Sequence, residues 1–240
     1  MGTNTKKKVW LIIPAAGIGS RMQADVPKQY LKINNKPILL LTLECFNGHS
    51  DIAGVIVALN PDDPYWKNLK VNMDIPLYTV EGGKERSDSV FNALEYLLTV
   101  EQLDSDSWVM VHDAARPVLS KQDLNALLAL RYKSSIGGLL ATPVRDTMKR
   151  AKAGTHLVSH TEDRTDLWHA LTPQLFYLGQ LKSALDYCLE KNIAVTDEAS
   201  ALEAVGETPE IVEGSSHNIK ITQPADLKLA KLLLTQDINA

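Results

Sequence analysis

Five consecutive apolar residues, Val9-Trp10-Leu11-Ile12-Ile13, run straight into Pro14-Ala15-Ala16-Gly17-Ile18-Gly19-Ser20-Arg21-Met22. An apolar run without polar alternation is the pattern of a central parallel strand, which is covered on both faces. The small residues after it permit a tight turn and let backbone amides approach an anion closely. This pairing predicts an α/β fold with a ligand at the carboxyl end of the first strand.

The rest of the chain repeats the alternation. Val55 to Leu59, Leu77 to Val80, Trp108 to Val111 and Gly138 to Ala141 read as further strands. Helical stretches are predicted over Ile38 to Phe46, from Glu85 onward, over Leu124 to Leu130, around 179–191 and 197–205, and after Pro224. Asn47-Gly48 supplies a stop for the first of them. The expectation is a mostly parallel, Rossmann-like sheet flanked by helices, in a single domain spanning 1–240. Segment 143–168 breaks the rhythm, being polar and charged with short alternating stretches such as His156-Leu157-Val158-Ser159-His160. It reads as a protruding β-hairpin arm, and an arm that cannot bury itself packs on a partner, so a homodimer is expected.

Bulk properties narrow the function. The 240 residues carry a formal net charge of −4, so no global basic field recruits nucleic acid. No apolar run approaches the roughly 20 residues that span a bilayer. The apolar run behind the lysines of the first eight residues is too short for a signal peptide. Cys45 and Cys188 lie in apolar helical contexts without metal or redox spacing. Together these point to a cytoplasmic protein with reduced thiols.

Chemistry concentrates in a few constellations. The first loop lacks the Gly-Lys-Ser/Thr ending of a P-loop, and Met22 stands where a dinucleotide fingerprint needs glycine. What it offers instead is a small-residue turn followed by Arg21 and by Pro27-Lys28-Gln29. Two cations beside such a turn suit a nucleoside triphosphate attacked by a phosphorylated substrate. Two polyanions must then meet, and each pair of unit charges ~4 Å apart repels by roughly 4 kcal/mol at an effective dielectric near 20. Fixed cations where charge develops on phosphorus are what the reaction needs, one such donor being worth about 3–4 kcal/mol. Arg21 and Lys28 are the candidates, with Mg²⁺ bridging triphosphate oxygens. No direct protein ligand of the metal is identifiable.

Gly82-Gly83-Lys84-Glu85-Arg86-Ser87-Asp88-Ser89 reads as a helix start with Ser87 or Asp88 as its cap. Gly83 and Ser89 could also hold a pyrimidine edge through backbone groups and a hydroxyl. His112-Asp113-Ala114-Ala115-Arg116-Pro117 follows a buried strand. There Arg116 could reach a substrate phosphate and Asp113 a metal or sugar hydroxyl, or the two could form a structural salt bridge. Arg164 in the arm, Thr196 in Thr196-Asp197-Glu198-Ala199, and Lys220 on an expected short strand, Asn218 to Thr222, are weak signals alone. His156 and His160 lack a third ligand, and the residues between them favour a strand, against zinc.

Taken together the motifs resemble the 2-C-methyl-D-erythritol 4-phosphate cytidylyltransferase family over about Val9 to Leu234. Pro-Ala-Ala-Gly-x-Gly-x-Arg-Met with Pro-Lys-Gln is shared with a wider cytidylyltransferase group. His-Asp-Ala-Ala-Arg-Pro, Leu-Trp-His-Ala-Leu-Thr-Pro-Gln and Thr-Asp-Glu-Ala are more specific. The resemblance implies cytidylyl transfer from CTP to 2-C-methyl-D-erythritol 4-phosphate, releasing pyrophosphate, with Mg²⁺, in isoprenoid precursor synthesis. It implies Arg21 and Lys28 as transition-state stabilisers, and Arg164 and Lys220 as positioners of the substrate phosphate. Ala15, Ala16, Gly17, Gly19, Gly83 and Ser89 fall where the family binds CTP. Asp113, Arg116, Thr172 and Thr196 fall where it binds the acceptor. The resemblance further implies interlocked arms, with Arg164 and Thr172 serving the neighbour's site. Leu94 to Ser107 looks like a surface insertion remote from the site. Ribitol-5-phosphate cytidylyltransferase, which shares the first three motifs, and a non-catalytic nucleotide-binding protein on the same fold are the competing readings.

Overall fold

The computed structural model describes residues 8–17, 22 and 26–235. From the N-terminus, β1 (Val9–Pro14) leads through a small hairpin, β2 (Lys32–Ile33) and β3 (Lys36–Pro37), into α1 (Ile38–Glu44). Then follow β4 (Ile52–Leu59), β5 (Leu77–Glu81), α2 (Arg86–Thr99), β6 (Trp108–Val111), α3 (Lys121–Leu128) and β7 (Gly137–Pro143). Two short strands, β8 (Lys149–Ala151) and β9 (Val158–Thr161), precede the long β10 (Trp168–Tyr177). The remaining elements are α4 (Leu178–Glu190), α5 (Glu198–Ala204), β11 (Glu210–Glu213) and α6 (Pro224–Thr235).

Seven strands form one sheet in the order β11-β7-β10-β6-β1-β4-β5. β1 runs parallel to both β4 and β6, with Leu11 opposite Val55 and Met110 and Ile12 opposite Ile56 and Val111. β10 runs antiparallel between β6 and β7, while β11 pairs parallel with β7. The mostly parallel sheet expected from the alternation is what forms.

Side-chain alternation on the central strands explains why the sheet is covered on both faces. Leu11, Ile13, Val55, Val57 and Met110 pack with Leu39 and Leu43 of α1 and Leu124 and Leu127 of α3. Ile12, Ile56, Val109 and Val111 pack on the other side with Val90, Leu94 and Leu97 of α2 and Leu181 and Leu185 of α4. Burying each such side chain contributes about 1.5–3 kcal/mol, so the sheet's position is strongly determined. A third cluster seats α6, through Ala230 and Leu233, against Met22, Ile33, Ile38, Ala115, Val118 and Ile221.

Several local expectations are corrected. The residue preceding α2 is Glu85, and Asp88 reaches back to accept its backbone N–H at 3.0 Å, so Asp88 closes the helix start without being its cap. Asp197 caps α5, accepting from the Ser200 N–H at 2.9 Å. The expected strand over Asn218 to Thr222 does not form. Leu94 belongs to α2 and is fully buried, so the segment from Leu94 to Ser107 is not all surface: its first part is core helix and a loop begins beyond Thr99. That loop docks on the start of α4, where Leu178 and Gly179 donate to the carbonyls of Ser107 and Ser105.

The largest revision concerns β10. Segment 143–168 does hold a hairpin, β8 with β9, in which every residue is exposed. Pro143 and Trp168, however, already pair in the main sheet, and Leu171 to Phe176 are buried between β6 and β7. Between Ala170 and Gln174 β10 advances four residues while its partner advances two, from Ala141 to Leu139. Such a bulge re-aims side chains, and here Thr172 bonds to the end of β6.

Candidate active site

The chain builds β4 and β5 on one side of β1 and then returns to its other side with β6. This reversal leaves a crevice at the strands' carboxyl ends, the place where ligands bind in open α/β sheets. A cleft of about 200 Å³ lies there, lined by Pro14 to Gly17 after β1, Gly83 to Arg86 and Ser89 after β5, and Asp113 to Ala115 after β6. Lys28, Gln29 and Lys220 complete its wall. Of the expected site residues, Ala15, Ala16, Gly17, Lys28, Gly83, Ser89, Asp113 and Lys220 are therefore brought together. Gly19 and Arg21 lie outside the described residues.

The Gly-Gly turn exists because nothing larger fits. A Cβ on Gly83 would stand 2.1 Å from the Asp88 Cβ, and one on Gly82 2.4 Å from the Ala16 Cβ. The turn after β5 is thus pressed against both α2 and the loop after β1. Ser89 is buried, and its hydroxyl accepts from the Gly83 N–H at 3.1 Å and donates to the Glu85 carbonyl at 3.4 Å. Ser89 thus shapes the turn and lines the cleft that the turn faces.

Asp113 is the electrostatic centre. Its carboxylate meets the Arg86 Nε at 2.9 Å, the Lys220 Nζ at 2.9 Å and the Arg116 Nε at 3.2 Å. Burial alone would raise its pKa, but Arg86, then Lys220 and Arg116, outweigh burial and hold it well below the usual carboxylate range. Arg86 also grips Glu198 through two bonds of 2.6 and 3.0 Å. Burial opposes the charge on Arg86, but Glu198 and Asp113 keep it firmly cationic.

Beneath this cluster His112 is fully buried. Its Nε2 stands 3.0 Å from the Arg116 carbonyl, which can only accept, so that nitrogen carries the proton. Nδ1 must then accept from the Thr172 hydroxyl at 3.0 Å, and the same oxygen accepts from the Asp113 N–H at 3.1 Å. Burial pushes the imidazole pKa down to about 4, which keeps it neutral, and the Arg116 carbonyl fixes this tautomer.

The other expected site residues take the following places. Arg116 is buried and donates its Nη1 to the Asn218 carbonyl at 2.6 Å, so it forms the structural ion pair with Asp113 and is turned away from the cleft. Thr172 is buried and bonded within its own chain, to the Asp113 N–H and the His112 ring. Thr196 is exposed and borders an adjoining cavity that shares Glu85 and Arg86 with the cleft. Arg164 is exposed in the segment between β9 and β10, donating to the Arg145 carbonyl, and does not line the cleft. Arg86, Glu198 and Gln29 were assigned no role by the sequence motifs. Arg86 does follow the Gly-Gly turn and Gln29 does follow Lys28, so their adjacency was the available signal.

The donor set does not fit a protein-held divalent metal. Asp113 is saturated by three cations, and among the described residues no group of three or more His, Cys, Asp or Glu side chains converges. Cations beside a small-residue loop suit polyphosphate instead, so any metal would be carried by the nucleotide.

A model of the 2-C-methyl-D-erythritol 4-phosphate cytidylyltransferase (IspD) family matches residues 9–236. The enzyme of that name from Pseudomonas putida (strain GB-1) is 51% identical over 225 residues, covering 94% of this chain and 95% of its own. Its counterpart from Vibrio vulnificus (strain CMCP6) is 51% identical over 226 residues, covering 94% of each. The chain belongs to the 2-C-methyl-D-erythritol 4-phosphate cytidylyltransferase family. It is a nucleotidyltransferase, and its fold is that of the family. The crystal structure of the Francisella tularensis enzyme superposes with a TM-score of 0.81 at 41% identity, covering 94% of this chain and 99% of that one. No helix among the described residues is long and apolar enough to cross a membrane.

Proposed function

We propose that this chain carries out the reaction its family is named for, in the cleft at the ends of β1, β5 and β6. A phosphate oxygen of 2-C-methyl-D-erythritol 4-phosphate attacks the α-phosphorus of CTP. One P–O bond forms, the bond to the α,β-bridging oxygen breaks, and pyrophosphate leaves. The observation that carries this reading is the convergence of Lys28 and Lys220 with the small-residue loop and the Gly-Gly turn.

Ala15, Ala16, Gly17 and Gly19 cradle the triphosphate through backbone amides, and Gly83, held by Ser89, borders the base. Arg21 and Lys28 stabilise the charge that builds on the α-phosphorus, a role worth about 3–4 kcal/mol per fixed donor. Lys220 and Arg164 position the acceptor phosphate, with Thr196 on the acceptor side. Asp113 spaces Arg86 and Lys220 apart, which keeps cations in the cleft before substrate arrives, while Arg116 and Thr172 hold Asp113 from beneath. Mg²⁺ enters with CTP. The subunits pair through segment 143–168, so that Arg164 serves the partner's cleft, and the enzyme works in the cytoplasm, where Cys45 and Cys188 stay as thiols.

Pyrophosphate release with CTP and each of two acceptors tests the assignment. Turnover with 2-C-methyl-D-erythritol 4-phosphate is expected; turnover with ribitol 5-phosphate alone would replace it with the competing reading.

A further inference from the structure

Gln29 is only 3% exposed, yet it lines the cleft. Its side-chain amide donates both of its hydrogens, to the Ala15 carbonyl at 2.7 Å and the Gly17 carbonyl at 3.1 Å. Both bonds cross from the turn that carries Lys28 to the loop that ends β1, over 14 and 12 residues of sequence. Only an NH₂ group can serve two acceptors from one atom, which fixes the orientation of this amide. In a trans peptide the N–H points opposite to the carbonyl. Holding the Ala15 oxygen therefore turns the Ala16 N–H away from Gln29. Ala15 itself is secured on the other side by its N–H, which donates to the Ala58 carbonyl at 2.8 Å. Among the described residues an added Cβ at Gly17 would meet nothing within 4 Å. The Ala15 and Gly17 carbonyls are held to the turn by hydrogen bonds from the Gln29 amide.

We propose that Gln29 is a positioning residue for the nucleotide. Its carboxamide clamps the loop after β1 in the form that offers amides to the triphosphate, and it sets the spacing between that loop and Lys28. The inference rests on the cytidylyl-transfer reading of the cleft. It assigns Gln29 no contact with the reacting atoms.

Two substitutions test it. Gln29→Met keeps length and apolar bulk but removes both donors. Its CTP affinity, measured by calorimetry, is expected to fall about tenfold, while KM for the acceptor stays within twofold. Gln29→Glu places a carboxylate against two carbonyl oxygens, which repels the loop and raises the introduced group's own pKa. Protonation restores one donor, so its CTP affinity relative to wild type should recover as pH falls from 8.5 to 6. Unchanged CTP affinity in Gln29→Met, or an equal loss for both substrates, overturns the proposal. Should Gln29→Met not fold, absence of any acid recovery in Gln29→Glu overturns it. Binding of CTP is read without turnover. A clamp effect in a wild type that fails to use 2-C-methyl-D-erythritol 4-phosphate would therefore sink the functional reading and keep the clamp.

Discussion

His112 is invisible to substrate, yet it carries the Asp113 backbone through Thr172. Its neutrality has a pH consequence. The folded pKa lies near 4, below the ordinary value of 6.5, so between those values the unfolded chain takes up a proton that the folded chain refuses. Stability is then complete above pH 6.5 and declines as pH falls toward 4, by about 3 kcal/mol at most. Asp113, held well below the carboxylate range, adds its own loss only in more acid solution. The difference in unfolding free energy between wild type and His112→Gln should therefore shrink as pH drops from 7 to 4.5. A difference that stays constant would mean that His112 remains free to protonate in the fold. The ionised arginines facing it, Arg86 and Arg116, push in the same direction as burial.

At the level of elements, the short hairpin of β8 and β9 stands apart from the sheet's packing. Its strands are exposed throughout, with Leu157 and Val158 about 64% and 58% accessible. Apolar residues left so open on a two-stranded ribbon gain stability only from another surface. If the hairpin brings Arg164 to the partner's cleft, subunits with complementary defects should repair each other. Heterodimers of Arg164→Ala with Lys28→Ala are expected to recover about half of the wild-type dimer's activity, because one of the two clefts receives both intact groups. Verified heterodimers that stay as inactive as the two parents would confine each site to one chain. β10 belongs to this scale as well. Its motif residues were legible, but Thr172 and Gln174 interrupt the apolar run, so its burial between β6 and β7 followed only from the pairing.

For the molecule as a whole, charge is unevenly spent. The chain is net −4, but its cleft gathers Lys28, Lys84, Arg86 and Lys220 around one saturated aspartate and Glu85. A local positive site on an acidic protein attracts polyanions over roughly a Debye length, about 8 Å at physiological salt. Raising ionic strength tenfold should thus increase KM for CTP severalfold and leave the thermal midpoint nearly unchanged. A salt-independent KM would show that binding does not draw on this field.

The order of strands and helices, the crevice at the end of β1 and most of the residues around it could be read from the chain, because they depend on short-range pattern. An apolar run marks a covered strand, and a Gly-Gly turn marks a close approach. What could not be read was the direction in which each polar side chain points once buried. Arg116 turns inward because Asp113 and the Asn218 carbonyl are the partners available in a medium where an unpaired charge is costly. Ser89 is claimed by Gly83, and Thr172 by His112 and Asp113. Arg86 and Gln29 emerged as organisers for the same reason. Their partners lie 112 and 14 residues away, and only the folded sheet brings those atoms within bonding distance.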